Sequence, residues 1–386
     1  MELFVVIPCY NEPDVIGAIN SIAQCDIPPT PVTIIVVVNA SEDSSADVIK
    51  RNKASVFNIK EWEKTKPPWL QIVCEHVENV PKKIAGVGHA RKLGMDLAYE
   101  LSVNKKESIL ICYDADCTCS PNYLTSIEQA FRNNPKHDVA TIYFEHKEAE
   151  KGAITDYELF LRYHYQGLRF TGYPYAYQTI GSSMAVRGTA YKAFGGMNLR
   201  KAGEDFYFLH KLIPYRNVLE INTCTVYPSA RTSDRVPFGT GHAVEKHNNS
   251  ICKTYYTYHP KVYRLIAQLV RSIHNSNVES GISLSLIPID IQAFLNDEGF
   301  SITEVKIRKQ SKSDALYHQN IFRWMNGFRM LKLVHYLRDK AYTNIPINDA
   351  VRSFWYIRNG EKLTLDNAVW LSKFRQLEKL SNDEVS

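Results

Sequence analysis

Residues 108–116 read Ser108-Ile109-Leu110-Ile111-Cys112-Tyr113-Asp114-Ala115-Asp116. The continuous apolar run loads a buried strand, and it ends in two carboxylates separated by one small residue. In an open α/β sheet, ligands bind outside the carboxyl ends of the strands. Acids at that edge suit a hard divalent cation, which is usually held by one or two carboxylates together with substrate phosphates. The stretch predicts an α/β protein that handles a phosphate-bearing substrate through a metal.

On either side, strand-like runs at 3–8, 32–38, 70–77 and 138–144 join the run at 108–113. Helical patterns lie between them, near 13–24, 44–52, 88–102 and 121–133. This alternation predicts a mostly parallel sheet with helices on both faces. Ile154, Tyr157, Leu161, Tyr165 and Leu168 give 151–169 the spacing of an amphipathic helix. Residues 178–187 read as a strand, 188–194 as a short helix stopped at Gly195-Gly196, 204–213 as a helix and 218–227 as extended. Past about residue 245 the texture changes, and 253–272, 314–341, 347–357 and 364–380 read as helices rich in Tyr, Leu, Arg and Lys.

The totals narrow the function classes. A chain of 386 residues can form one large or two ordinary domains, and 45% hydrophobic with 23% charged residues is a globular balance. The net charge of +5 suits anionic substrates and by itself proves nothing about nucleic acid, where a focused basic stripe would be expected; no nucleic-acid partner is expected. No stretch approaches a membrane span. The first strand starts at Leu3, leaving no room for a signal peptide, and cytoplasmic residence is expected. Among the eight cysteines, Cys9, Cys74 and Cys112 sit in or beside apolar runs, where Cys behaves as a small hydrophobe. Cys117 and Cys119 have no second pair at zinc-site spacing, so structural thiols are expected there.

Several junctions carry chemistry. Pro8-Cys9-Tyr10-Asn11-Glu12 closes the first strand and leaves Tyr10 at the sheet edge, where an aromatic stacks on a base or simply packs in a turn. Asn39 ends the second strand; its amide both donates and accepts, so it suits a nucleobase edge, while the following Ser41 and Asp43 suit a capping loop. Lys82-Lys83-Ile84-Ala85-Gly86-Val87-Gly88-His89-Ala90-Arg91 enters a helix whose N-terminus favours phosphate, although its glycine spacing matches neither a Walker nor a dinucleotide motif. Gly203-Glu204-Asp205 reads as a helix start with acids favoured by the dipole.

Pro8-x-Tyr10-Asn11-Glu12, the strand ending at Asn39, Gly88-x-Ala90-Arg91-x-x-Gly94, Asp114-Ala115-Asp116, the segment 181–187, Gly195-Gly196 and Gly203-Glu204-Asp205 follow one another in a telling order. In that order and spacing the chain resembles the family 2 glycosyltransferases of the GT-A fold over roughly residues 1–240. The resemblance implies a Rossmann-like, mixed, mostly parallel sheet flanked by helices, with a C-terminal helical region. It divides the chain into a catalytic domain at 1–244, with a nucleotide-binding half at 1–116 and an acceptor half at 117–244, and a mainly helical region at 245–386. It further implies a nucleoside-diphosphate sugar donor and a divalent cation, Mn or Mg. Asp116 then looks like the main metal ligand, and Asp114 like its partner at the ribose or metal. Pro8, Tyr10 and Asn39 look like the nucleoside pocket, with Glu12, Lys83 and Arg91 counted in the nucleotide site. The family usually carries Asp where this chain has Asn39. Asp205 looks like the general base of an inverting transfer, with Glu204 in support.

The polar, Gly-rich and basic segment 229–242 resembles loops that cover the diphosphate in some relatives. Arg231 and Arg235 are its candidate phosphate contacts, and His242 or His247 its candidate further metal ligand. In the C-terminal region Trp324, Phe328, Tyr336, Trp355 and Tyr356 are read as core before sugar platform. The basic residues Arg323, Arg329, Lys332, Arg338 and Lys340 leave a peripheral membrane contact open. The expected activity is inverting transfer to a hydroxyl on a carbohydrate, a lipid-linked glycan or a small molecule. A retaining GT-A transferase and an inactive nucleotide-sugar or glycan-binding protein are the alternatives. A sugar-phosphate nucleotidyltransferase is disfavoured because Cys9-Tyr10-Asn11-Glu12 stands where its Gly-rich loop would follow the first strand.

Overall fold

The computed structural model describes residues 1–147, 152–231 and 254–380. The chain forms two compact units. The first comprises Met1–Glu148, Gln178–His242 and Glu378–Ser386, and the second Ala149–Tyr177 and Ala243–Leu377.

The first unit is built on β1 (Glu2–Cys9), β2 (Val32–Ser41), β3 (Leu70–Val80), β4 (Ser108–Cys112), β5 (Thr118–Cys119), β6 (Val139–Phe144), β7 (Met184–Arg187) and β8 (Val218–Tyr227). They form one eight-stranded sheet in the order β3-β2-β1-β4-β7-β6-β8-β5. Pairings β1–β2, β2–β3, β1–β4 and β6–β8 are parallel. Strand β7 runs antiparallel to β4 and β6, and β5 antiparallel to β8. The result is the mixed, mostly parallel sheet that the alternation predicts. Leu3 to Ile7, Ile34 to Val38 and Ile109 to Cys112 are buried, as central strands covered on both faces require.

The covering helices are α1 (Val15–Ala23), α2 (Ala46–Glu63), α3 (Val87–Leu101) and α4 (Tyr123–Asn133), with α6 (Gly188–Ala193) and α7 (Glu204–Leu212) later in the chain. Helix α2 runs well beyond the expected 44–52. Its buried positions are Asn52, Ser55 and Ile59, a helical spacing carried mostly by polar residues that an apolar count passes over. Strand β7 occupies only the end of the expected 178–187 run.

The second unit holds α5 (Ala153–Phe170), β9 (Tyr256–Thr257), α8 (Lys261–His274), α9 (Ile289–Asp297), α10 (Phe300–Gln310), α11 (Asp314–Trp324), α12 (Gly327–Lys340), β10 (Ile345–Pro346), α13 (Ile347–Asn359) and most of α14 (Asn367–Leu380). The expected helix at 314–341 is broken because the Asn326 side chain caps a new N-terminus, accepting from Arg329 N–H at 3.1 Å. Helices α9 and α10 were not expected; they meet at Gly299 in the left-handed region with φ 68. Glu158 is buried between Arg162 and Arg375, each at 2.8 Å, which satisfies a charge that could not otherwise be buried. Trp355 is buried against Trp370, and Arg329 and Lys332 pair with Glu298 at 3.1 and 3.0 Å. No helix among the described residues is long and apolar enough to cross a membrane.

Gly94 lets α3 lie against the sheet. A Cβ there would overlap Val6 and sit 3.1 Å from Val37 Cγ2. Gly94→Ala gains about 1 kcal/mol of helix propensity but overpacks the core, which typically costs about 1–3 kcal/mol. A net fall in melting temperature is expected by calorimetry, and a rise would contradict this packing account.

Candidate active site

The parallel register brings the chemistry to one edge. Cys9 pairs with Val38 and Val6 with Cys112, so the segments after β1, β2 and β4 leave the sheet on the same side. Strand β1 is flanked by β2 on one side and β4 on the other, a reversal of strand order of the kind at which open α/β sheets bind ligands.

At the end of β1, Asn11 adopts φ 50, a left-handed conformation that Asn tolerates better than most residues. Asn52 of α2 holds this turn. Its Oδ1 accepts from Asn11 N–H at 2.9 Å, and its Nδ2 donates to Asn39 O at 3.0 Å. The Ser55 hydroxyl donates to Glu12 O at 3.3 Å. Neither residue was singled out from the sequence, where the only signal is a pair of polar residues three apart on one helix. Asn39 is buried and donates to Gly86 O at 3.4 Å, whereas Pro8 and Tyr10 are partly exposed. Lys82 pairs with Asp43 at 2.7 Å and Lys83 is exposed.

Arg91 lies in α3 with its side chain buried, and its guanidinium donates to both Asp114 and Glu204. Gly181 covers it so closely that a Cβ there would sit 2.6 Å from Nη2. Gly88 likewise lets the backbone of Asn198 and Arg200 approach α3. Gly203, in the left-handed region with φ 69, turns the chain into α7, which starts with Glu204 and Asp205. Asp205 is partly exposed and accepts from Phe206 N–H at 2.7 Å.

One buried cation therefore faces several carboxylates. Burial, with Asp205 and Asp114 nearby, pushes the Glu204 carboxyl up to about 7, although Arg91 opposes the shift. Burial also raises Asp205. Carboxylate oxygens of Asp114 and Asp116 and the Cys117 sulfur lie within 4.8 Å of one another. Burial and the two acids hold the Cys117 thiol well above its ordinary range, so it stays protonated. The effective donors are hard carboxylate oxygens, which fit a cation of the Mg or Mn type. Arg231 grips Glu12 with both terminal nitrogens, Nη1 to Oε1 at 2.8 Å, and lies 3.3 Å from Asp116. Arg235, His242 and His247 lie outside the described residues.

The mixed sheet thus carries an acidic strand end, a polar turn after β1 and, from a helix later in the chain, an acidic helix start. Residues 4–192 match the family model described as Glycosyl transferase family 2. Solved structures resemble the chain at low identity. TarS 1–349 of S. aureus in complex with UDP-GlcNAc is 15% identical, with 94% of this chain and 93% of that chain covered and a TM-score of 0.45. The mannosyltransferase PcManGT of Pyrobaculum calidifontis, in complex with GDP-Man and Mn²⁺, is 13% identical, with 84% and 87% covered and a TM-score of 0.40. Glucosyl-3-phosphoglycerate synthase of Mycobacterium tuberculosis, with Mn²⁺, UDP and glucosyl-3-phosphoglycerate, is 14% identical, with 67% and 84% covered and a TM-score of 0.37. No curated protein matches the sequence.

The raised Glu204 carboxyl links stability to pH. The folded state retains a proton that the unfolded state loses near 4.5, so this contribution is full at low pH and fades as the pH rises to about 7. Glu204→Gln removes the titration. The variant's melting temperature relative to the wild type should climb across that interval and level off above it; a difference independent of pH would rule the account out.

Proposed function

We propose that the protein is a metal-dependent, inverting glycosyltransferase that moves a sugar from a nucleoside-diphosphate donor to a hydroxyl acceptor. The observation that supports it best is the Arg91 bridge, which joins the acids after β4 to the acids opening α7 in one charge cluster. Pro8, Tyr10 and Asn39, with Glu12 and Lys83 alongside, form the nucleoside side of the site. Arg91 belongs to it through Asp114, whose carboxylate it orients.

Asp114 and Asp116 would hold the divalent cation, Mn or Mg, which when bound supplies positive charge to the departing diphosphate. Arg231, and Arg235 beyond the described residues, add guanidinium contacts to the same phosphates, with His242 a further candidate ligand. Asp205 takes the proton of the acceptor hydroxyl as that oxygen attacks the anomeric carbon from the face opposite the leaving group. Its raised pKa strengthens it as a base. Glu204, buried and tied to Arg91, fixes the start of α7. Candidate acceptors are a carbohydrate, a lipid-linked glycan or a small molecule. The abundance of thiols favours a reducing, cytoplasmic setting.

Release of nucleoside diphosphate from a panel of UDP, GDP, CDP and dTDP sugars with Mn²⁺ tests the reading. Asp205→Asn should lower kcat by about 10²–10⁴ with little change in the donor KM, and Asp116→Ala should raise the metal concentration needed for half-maximal rate. Product anomers by NMR decide the stereochemistry: retention ends the inverting assignment, and no turnover of any donor favours a binding protein.

A further inference from the structure

Two thiols outside the proposed machinery lie side by side. Cys25 follows the end of α1, and Cys119 ends β5, three residues beyond Asp116. Their sulfurs are 3.6 Å apart. The backbones that carry them are already fastened together, because Cys119 N–H donates to the Ser21 hydroxyl at 2.9 Å and Asp26 N–H donates to Pro121 O at 2.8 Å. A disulfide has a sulfur separation of about 2.05 Å, so bond formation asks for side-chain rotation and a small approach, with no rearrangement of the two segments.

The two thiols are unequal. Cys25 is buried, and burial beside Cys119 keeps it protonated. Cys119 is partly exposed, and its sulfur has the Cys25 thiol and the Ser21 hydroxyl, at 3.5 Å, as neighbours. The buried Tyr113 hydroxyl and the Lys147 ammonium also favour negative charge on it, and together these groups hold its pKa below the ordinary thiol value. Burial moves Cys74, Cys112, Cys117 and Cys224 the opposite way. A nucleophilic thiolate with a resolving thiol in contact is the arrangement that converts oxidation into a reversible bond.

We propose that Cys25 and Cys119 form a reversible disulfide on exposure to hydrogen peroxide, with Cys119 as the nucleophile and Cys25 as the resolving thiol. The Cys119 thiolate attacks one peroxide oxygen, the O–O bond breaks, and hydroxide leaves, giving a sulfenic acid. The Cys25 proton goes to that hydroxide as water. Cys25 sulfur then displaces the sulfenic oxygen as a second hydroxide, and the S–S bond forms. Each sulfur is oxidised by one electron, and the peroxide oxygens are reduced by two. The bond would staple α1 to the strand that follows the acidic pair.

The test is made on the full chain with hydrogen peroxide, followed by alkylation of free thiols and mass spectrometry. The expected product is about 2 Da lighter before alkylation, contains a peptide linking Cys25 to Cys119, and reverts with dithiothreitol. Cys25→Ser should leave Cys119 as a sulfenic acid that dimedone traps, while Cys119→Ser should leave Cys25 alkylatable after peroxide. A wild-type protein in which Cys25 stays alkylatable while Cys119 is over-oxidised overturns the proposal, as does a disulfide between other cysteines. These readouts do not depend on transferase activity, so their failure is distinct from failure of the functional reading.

Discussion

A guanidinium taken out of water costs several kcal/mol unless its partners are well placed, and Arg91 has two such partners, Asp114 and Glu204. The surrounding sequence serves that pairing. Gly181 must lack a side chain because the guanidinium lies against it, and Gly88 must lack one so that the 198–200 backbone can reach α3. Gly94 lowers the same helix onto Val6 and Val37, setting the depth at which Arg91 stands. The glycines of this motif act through packing around a buried ion pair. The consequence for function is that the acids after β4 and the acids of α7 cannot move independently, since displacing either leaves a buried charge exposed to no partner.

A second constraint works on the other side of β1. Asn52 is buried and bonds to the backbone of both Asn11 and Asn39, so one side chain sets the spacing between the turn after β1 and the end of β2. Parallel strands bring loops to the same edge but do not fix the distance between them. Here a helix residue does so, and Ser55 extends the tie to Glu12, which in turn anchors Arg231. The route from α2 to the guanidinium beside Asp116 is thus a short chain of hydrogen bonds.

Much of the fold was legible because it is periodic. Apolar runs marked β1, β2, β3, β4 and β6, and their alternation with helices forecast the parallel core. Where burial is polar the reading weakened: α2 looked short because Asn52 and Ser55 carry its buried face, and the break at Asn326 was hidden inside one amphipathic stretch. The candidate site was legible as separate motifs. Their joining was not, because Arg91 and Glu204 are 113 positions apart and no local spacing relates them. The pairing of Arg231 with Glu12 is longer still, at 219 positions. Local chemistry fixes what a residue can do, while its partner is decided by the sheet register and the crossovers.

Adjacent acids serve different ends when their surroundings differ. Glu204 shares Arg91 with Asp114, and burial, with Asp205 and Asp114 nearby, pushes its carboxyl up to about 7 against the pull of that cation. Asp205 follows it in the same helix and accepts from the neighbouring Phe206 N–H. The Glu204 oxygen that an incoming hydroxyl would need is occupied by the Arg91 guanidinium, whereas Asp205 accepts from a backbone N–H. The proposed division, with Glu204 as anchor and Asp205 as base, follows from that difference in attachment more than from the order of the two residues in the motif.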